Sequence, residues 1–234
     1  MTTQLGFHVD MEKCIGCKAC EAACKDFYQL PPEIRWRRVR SFEMGEFPKA
    51  LRVHLSLACN HCEDPACMKG CPVEAYTKRE KDGLVIHDPT ACIGCQYCTW
   101  TCPYGVPQFD PAQGVVSKCN GCYELVDQGQ LPRCVQSCLT GALSFGERDQ
   151  HESTKRQAVR EAPGFPDPGI TRPSTRFAWP KKGPQPETQV RVAPPVEGHA
   201  ADAQARQQVT EARPVTAASG AAALAASGSA KEGR

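Results

Sequence analysis

The sixteen cysteines of this 234-residue chain all lie between Cys14 and Cys138 and fall into four groups of four. The groups read Cys14-x2-Cys17-x2-Cys20-x3-Cys24, Cys59-x2-Cys62-x4-Cys67-x3-Cys71, Cys92-x2-Cys95-x2-Cys98-x3-Cys102 and Cys119-x2-Cys122-x11-Cys134-x3-Cys138. Thiolate sulfur is the ligand of iron–sulfur clusters, and four thiolates per [4Fe–4S] cubane would place all sixteen in four clusters with none left over. A C-x2-C-x2-C run is compact enough to wrap three corners of a cubane from one loop. Ile15-Gly16 and Ile93-Gly94 would turn that loop, because glycine tolerates positive φ and lets neighbouring amides point at sulfur. In two-cluster ferredoxins the fourth cysteine ligates the other cluster. Each x3 step is then a strap between two clusters, at most ~14 Å long if extended and about 6 Å if helical. A chain holding four one-electron centres is built to move electrons.

Two other uses of cysteine fit less well. Cys-x2-Cys pairs also bind zinc, but a zinc site calls for neither the third cysteine two residues on nor the fourth three residues later. A disulfide framework calls for a secretory signal, and Met1-Thr2-Thr3-Gln4-Leu5 shows no basic region followed by an apolar core. No run of 18 apolar residues is present, so no membrane span is expected and any membrane link would come through a partner.

Charge is unevenly divided. Residues 1–150 carry 16 Lys and Arg against 18 Asp and Glu, whereas residues 151–234 carry 12 against 8. Cluster charge would make the first part strongly acidic. Lys13, Lys18 and Lys25, interleaved with the first cysteine group, either offset that charge locally or solvate a loop. The basic run Ile34-Arg35-Trp36-Arg37-Arg38-Val39-Arg40 alternates partly and reads as a strand with one wet face. No nucleic-acid partner is expected for so acidic a holoprotein. His61, between Cys59 and Cys62, either donates to a cluster sulfur or is an ordinary loop residue.

The elements that must position these ligands are short. Strands are predicted at Phe7–Asp10, Leu51–Leu57 (which alternates apolar and polar), Gly83–Ile86 and Val115–Ser117, each leading into a cysteine group, with a helix over Glu21–Tyr28. The fold class is α+β: tandem bacterial-ferredoxin-like [4Fe–4S] domains, richer in loop than in regular structure. Units are expected at 5–34, 50–81 and 83–112, with 113–150 supplying the fourth cysteine group that completes the cluster pair of the first. Cysteines stop after Phe145-Gly146, and residues 163–196 are studded with proline. Residues 151–182, with Phe177 and Trp179, read as a docking arm laid over another subunit. The Pro/Ala-rich stretch 183–234 has too few large apolar residues to build a core and is expected to be disordered.

Motif order, spacing and linking sequence together carry a resemblance. The segments are Cys14-Ile15-Gly16-Cys17-Lys18-Ala19-Cys20-Glu21-Ala22-Ala23-Cys24-Lys25-Asp26, Cys59-Asn60-His61-Cys62-Glu63-Asp64-Pro65-Ala66-Cys67, Cys92-Ile93-Gly94-Cys95-Gln96-Tyr97-Cys98, Cys102-Pro103-Tyr104-Gly105 and Lys118-Cys119-Asn120-Gly121-Cys122. From about Gln4 to Gly146 the chain resembles the four-cluster iron–sulfur subunit of the molybdopterin oxidoreductases, most closely the dimethyl sulfoxide reductase type. Leu139 departs from the proline usual after the last cysteine and touches no ligand position.

The resemblance implies a ligand assignment in which the first and fourth groups build one pair of clusters and the second and third another. Cys14, Cys17, Cys20 and Cys138 would hold cluster one, and Cys24, Cys119, Cys122 and Cys134 cluster two. Cys59, Cys62, Cys67 and Cys102 would hold cluster three, and Cys71, Cys92, Cys95 and Cys98 cluster four. It also implies two partners: a catalytic subunit carrying molybdenum bis-pterin, and an integral membrane anchor that oxidises quinol. The chain would have no catalytic residue of its own. It would sit peripherally on the membrane, on the cytoplasmic side, or on the periplasmic side if exported with a signal-bearing partner. Relatives acting on polysulfide, thiosulfate or formate share the framework, and a free-standing polyferredoxin is the alternative without partners.

The cysteine arithmetic predicts about sixteen irons and as many acid-labile sulfides per chain after anaerobic reconstitution. Chemical analysis giving about eight of each would contradict it.

Overall fold

The computed structural model describes residues 3–44, 47–149, 158–181 and 191–192. Its elements in chain order are β1 (Leu5–Asp10), α1 (Ala19–Phe27), β2 (Arg38–Met44), β3 (Leu51–Leu57), α2 (Ala66–Lys69), β4 (Tyr76–Lys78), β5 (Val85–His87), α3 (Tyr97–Thr101), β6 (Gln108–Asp110), β7 (Val115–Ser117), α4 (Tyr123–Val126), α5 (Arg133–Gln136), β8 (Leu143–Glu147), β9 (Arg176–Ala178) and β10 (Arg191–Val192). The result is loop-rich, with four short sheets: β8-β1-β9, β10-β2-β3, β4-β5 and β6-β7.

Long-range pairing decides which cysteine groups meet. β1 runs antiparallel to β8, with Phe7 opposite Phe145 and Val9 opposite Leu143. Because β1 ends four residues before Cys14 and β8 begins five after Cys138, this ladder sets the first and last cysteines side by side. The Asp10 amide donates to Ala142 O at 2.8 Å and the Cys14 amide to Asp10 O at 3.1 Å, fixing the exit from the strand. The Asp10 carboxylate accepts from the amides of Glu12 and Lys13 at 3.0 and 3.3 Å, an Asx turn that aims the chain into the cysteine loop. Asp110 does the same for Ala112 and Gln113 in the β6–β7 hairpin.

Two helix pairs complete the arrangement. α1, carrying Cys20 and Cys24, packs against α5, carrying Cys134; α2, carrying Cys67, packs against α3, carrying Cys98. Helices of four or five residues would not hold in isolation, because one or two turns barely exceed the nucleus. Their order comes from what they pack against. Phe7, Val9, Phe42, Val53, Leu55, Leu84, Leu143, Phe145 and Phe177 form one apolar core, and Tyr76, Val85 and Val116 with Cys67 and Cys98 form a smaller one.

The structure adds to or departs from the sequence expectations at several places, and the strand expected at Gly83–Ile86 runs instead over Val85–His87. In the basic run only Arg38–Arg40 belongs to a strand, and Arg37 is buried rather than solvated. Lys25 braces a loop: its Nζ donates to the carbonyls of Pro31, Pro32 and Ile34. Arg176–Ala178, within the segment read as a docking arm, forms a parallel strand on β1, with Phe177 fully buried between Phe165 and the sheet. Of the expected disordered stretch 183–234, only Arg191–Val192 is described, as an edge strand on β2; the rest lies outside the described residues.

Candidate iron–sulfur sites

The two C-x2-C-x2-C loops have the same backbone. Gly16 and Gly94 stand at φ 71° and 70°, and Lys18 and Gln96, two residues later, at 60° and 63°. Both glycines are hemmed in as well as turned. A Cβ on Gly16 would lie 2.6 Å from His54 Nδ1, and one on Gly94 would lie 2.2 Å from the Gly114 carbonyl oxygen. The loops hand over directly to α1 and α3, so Cys20 and Cys98 point inward from the first helical turn and are buried.

The structure gathers the cysteines from distant parts of the sequence. Cys14, Cys17, Cys20 and Cys138 line one hollow, flanked by Val9, Ile15, Val39 and Leu143. Cys59, Cys62, Cys67 and Cys102 line another, with Tyr104, Lys118 and Thr171 on its walls. Mutual repulsion reports the remaining neighbourhoods. Ionised Cys24 would be opposed by Cys119, Cys134 and Cys122. Ionised Cys98 would be opposed by Cys92, Cys95 and Cys71.

Burial pushes the Cys62 and Cys119 thiols up, and neighbouring Cys59 pushes each further, both to about 12. Cys24 and Cys67 rise for the same reasons. Four thiolates around a hollow therefore need a cation to hold them. Among the described residues no group of three or more His, Cys, Asp or Glu is placed to hold a metal ion by itself. Hollows ringed by four sulfurs and no carboxylate match a soft, multi-iron core. The donor set fits the cubane.

Backbone amides already point at sulfur. His61 donates to Cys59 Sγ at 3.4 Å, Ala75 to Cys71 at 3.3 Å, Gly94 to Cys92 at 3.5 Å, Gly121 to Cys119 at 3.4 Å and Leu143 to Cys138 at 3.3 Å. One hydroxyl joins them: Ser56 Oγ lies 3.4 Å from Cys20 Sγ, whereas the Tyr28 hydroxyl beside Cys122 donates to Asn120 Oδ1 at 2.8 Å. Such donors favour a thiolate over a thiol, which is the state that binds iron.

Side chains that motif reading did not single out surround the ligands. Lys118 is buried immediately before Cys119, and its Nζ donates to the carbonyls of Val85 and Cys119 and stands 5.9 Å from the Tyr76 ring. Its place next to a ligand was the available signal. Thr171 bonds to the Tyr104 hydroxyl at 2.9 Å and lines the Cys59–Cys102 cavity from beyond the last cysteine, with nothing in the sequence to announce it. His61 is no ordinary loop residue. It is fully buried, and its Nδ1 accepts the Val85 amide proton at 3.1 Å, which places the ring proton on Nε2. Burial, then Lys118, Lys78 and Arg37, hold its pKa well below the ordinary histidine value, so the ring is neutral.

Comparison with known proteins agrees in kind. The family described as a 4Fe-4S dicluster domain matches residues 52–148, and a 4Fe-4S binding domain matches residues 7–31. The chain is 44% identical over 182 residues to the B component of anaerobic dimethyl sulfoxide reductase from Escherichia coli, covering 74% of this chain and 88% of that protein. It is 35% identical to the B component of sulfite dehydrogenase from Allochromatium vinosum, covering 75% and 82%. It is 36% identical to the protein NrfC of Escherichia coli, covering 67% and 71%.

Gly94→Ala would drive a methyl into the Gly114 carbonyl at a φ that alanine resists. The expected result is a loss of about 1–3 kcal/mol in thermal unfolding of the iron-loaded protein, with one cluster's iron lost first. Unchanged stability and full iron would show that the tight turn is not required.

Proposed function

This protein belongs to the family of iron–sulfur electron-transfer subunits that includes the B component of anaerobic dimethyl sulfoxide reductase, and from that premise we propose how its residues serve the relay. The chain is an electron-transfer subunit, non-catalytic in itself, of an oxidoreductase complex. Four [4Fe–4S] clusters are the cofactors we assign to it, in four ligand sets: Cys14, Cys17, Cys20 and Cys138; Cys24, Cys119, Cys122 and Cys134; Cys59, Cys62, Cys67 and Cys102; Cys71, Cys92, Cys95 and Cys98. The observation that carries this assignment is the pair of hollows each ringed by four thiols drawn from two cysteine groups. Each cluster, when bound, takes up and returns one electron.

The residues of the chain do the rest. The x3 straps Cys20–Cys24, within α1, and Cys134–Cys138, which starts in α5 and ends just past it, tie clusters one and two to one packed helix pair. Cys67–Cys71 and Cys98–Cys102 tie clusters three and four to the other pair, α2 and α3. Cys59 and Cys119 stand close enough to repel, so the two halves meet at His61 and Gly121. Packed helix pairs and shared straps hold the centres at fixed separations, and the apolar core keeps water from the buried ligands. The units 5–34, 50–81, 83–112 and 113–150 are the segments that contribute these ligands.

The relay's ends lie in other chains. Electrons would come from an integral membrane quinol-oxidising anchor and pass to a molybdenum bis-pterin subunit that reduces sulfoxides or N-oxides. The chain would then sit peripherally at the membrane; no described helix is long and apolar enough to cross one. The same relay in a polysulfide, thiosulfate or formate complex is the second reading; the identity to the sulfite dehydrogenase component indicates that such relays also serve enzymes other than sulfoxide reductases.

Single Cys→Ser variants test the ligand sets. Cys17→Ser and Cys138→Ser should perturb one and the same paramagnetic centre in the reduced protein, while Cys62→Ser and Cys102→Ser perturb another. If Cys138→Ser instead disturbs the centre altered by Cys134→Ser, with the Cys17 centre untouched, the pairing is wrong.

A further inference from the structure

Arg37 is the largest fully buried side chain of the described residues, at 2% exposure. A guanidinium cannot lose its charge in a protein, and a buried charge without a counter-charge is strongly unfavourable. The charges that face Arg37 are sulfurs rather than carboxylates: Cys134, Cys119, Cys20 and Cys24, in that order of influence. Cys20 belongs to the first ligand set and the other three to the second, so one cation stands between two sets.

Its donors are only partly used. Nη1 donates to Ser56 Oγ at 3.0 Å, and that same oxygen lies 3.4 Å from Cys20 Sγ. The guanidinium carbon stacks 4.4 Å from the centre of the Phe7 ring, which fixes the plane of the fork. Nε and Nη2 are buried and make no well-formed hydrogen bond to any protein group, although the guanidinium lies against the Cys134 thiol. Buried donors in a native fold almost always have partners. Two idle donors on a clamped, permanently charged fork, facing sulfur, are arranged for an acceptor that the polypeptide does not itself provide.

We infer that Arg37 is the shared counter-ion of clusters one and two, a positioning residue that raises the reduction potentials of both. This rests on the proposed ligand assignment. One-electron reduction of a cluster adds one negative charge and makes or breaks no bond at Arg37, which keeps its proton throughout. A fixed cation in a low-dielectric interior stabilises the more negative, reduced state. Charge-assisted hydrogen bonds to sulfur act in the same direction, and potentials of such clusters follow charge, hydrogen bonds to sulfur and exposure. The planar fork spans two sets at once, which a lysine ammonium does less well.

The test is a mediated redox titration, followed by electron paramagnetic resonance with dithionite as reductant, on the iron-loaded full-length protein. Cys20→Ser and Cys24→Ser first identify the two centres; if neither removes a distinct centre, the ligand assignment fails, whatever Arg37 does. With the centres identified, Arg37→Gln should keep full iron and make both harder to reduce by tenfold or more in the reduced-to-oxidised ratio at fixed potential, about 59 mV for one electron. The other two centres should move less than threefold. Unchanged midpoints at full iron content would overturn the inference. Should Arg37→Gln fail to load iron, Arg37→Lys decides. Charge retained should restore loading with both centres within about tenfold of wild type, and equal failure of the lysine variant would assign Arg37 a packing role only.

Discussion

Repulsion among crowded thiolates is the constraint on which the structure depends. Eight of the sixteen cysteines are buried, and burial together with neighbouring sulfurs makes ionisation of several of them unfavourable. The local devices act against that repulsion. Amides turned inward by positive-φ residues donate to sulfur. Two buried cations, Arg37 among Cys20, Cys24, Cys119 and Cys134, and Lys118 near Cys67 and Cys102, supply positive charge to the two halves. Iron supplies the remainder when bound, and ligand binding is then part of the folding free energy.

The regular structure is correspondingly slight. Three-residue strands and four-residue helices have little stability of their own. They serve to deliver cysteines: β1 and β8 by bringing the two ends of the cysteine-bearing region together, and the α1–α5 and α2–α3 pairs by setting the x3 straps against one another. Neither apolar core closes around itself. Each includes cysteines among its buried members.

Much of this was legible in the residues. Cysteine spacing announced the chemistry, and the strands at Leu51–Leu57 and Val115–Ser117 were visible as they stand because their apolar residues precede a ligand group. Gly16 and Gly94 were legible as turn formers because only glycine tolerates that φ without strain. What stayed hidden depends on contacts distant in sequence. Nothing local says that Arg176–Ala178 returns to pair with β1, or that Thr171 reaches the Cys62 neighbourhood. Arg37 looked like one more surface charge in a basic run, since its burial follows from sulfurs gathered from α1, α5 and the Cys119 loop. His61 was ambiguous because its role turns on the Val85 amide, 24 residues away.

Metal removal tests most directly whether thiolate–iron bonding stands in for a conventional core. Circular dichroism and thermal unfolding would be followed on the same full-length protein, first iron-loaded and then after anaerobic stripping of iron with a chelator under reducing conditions. Coupling of binding to folding predicts a cooperative transition for the iron-loaded protein and its loss, with loss of near-ultraviolet signal, in the stripped form. A stripped form that unfolds cooperatively at the same temperature would contradict it.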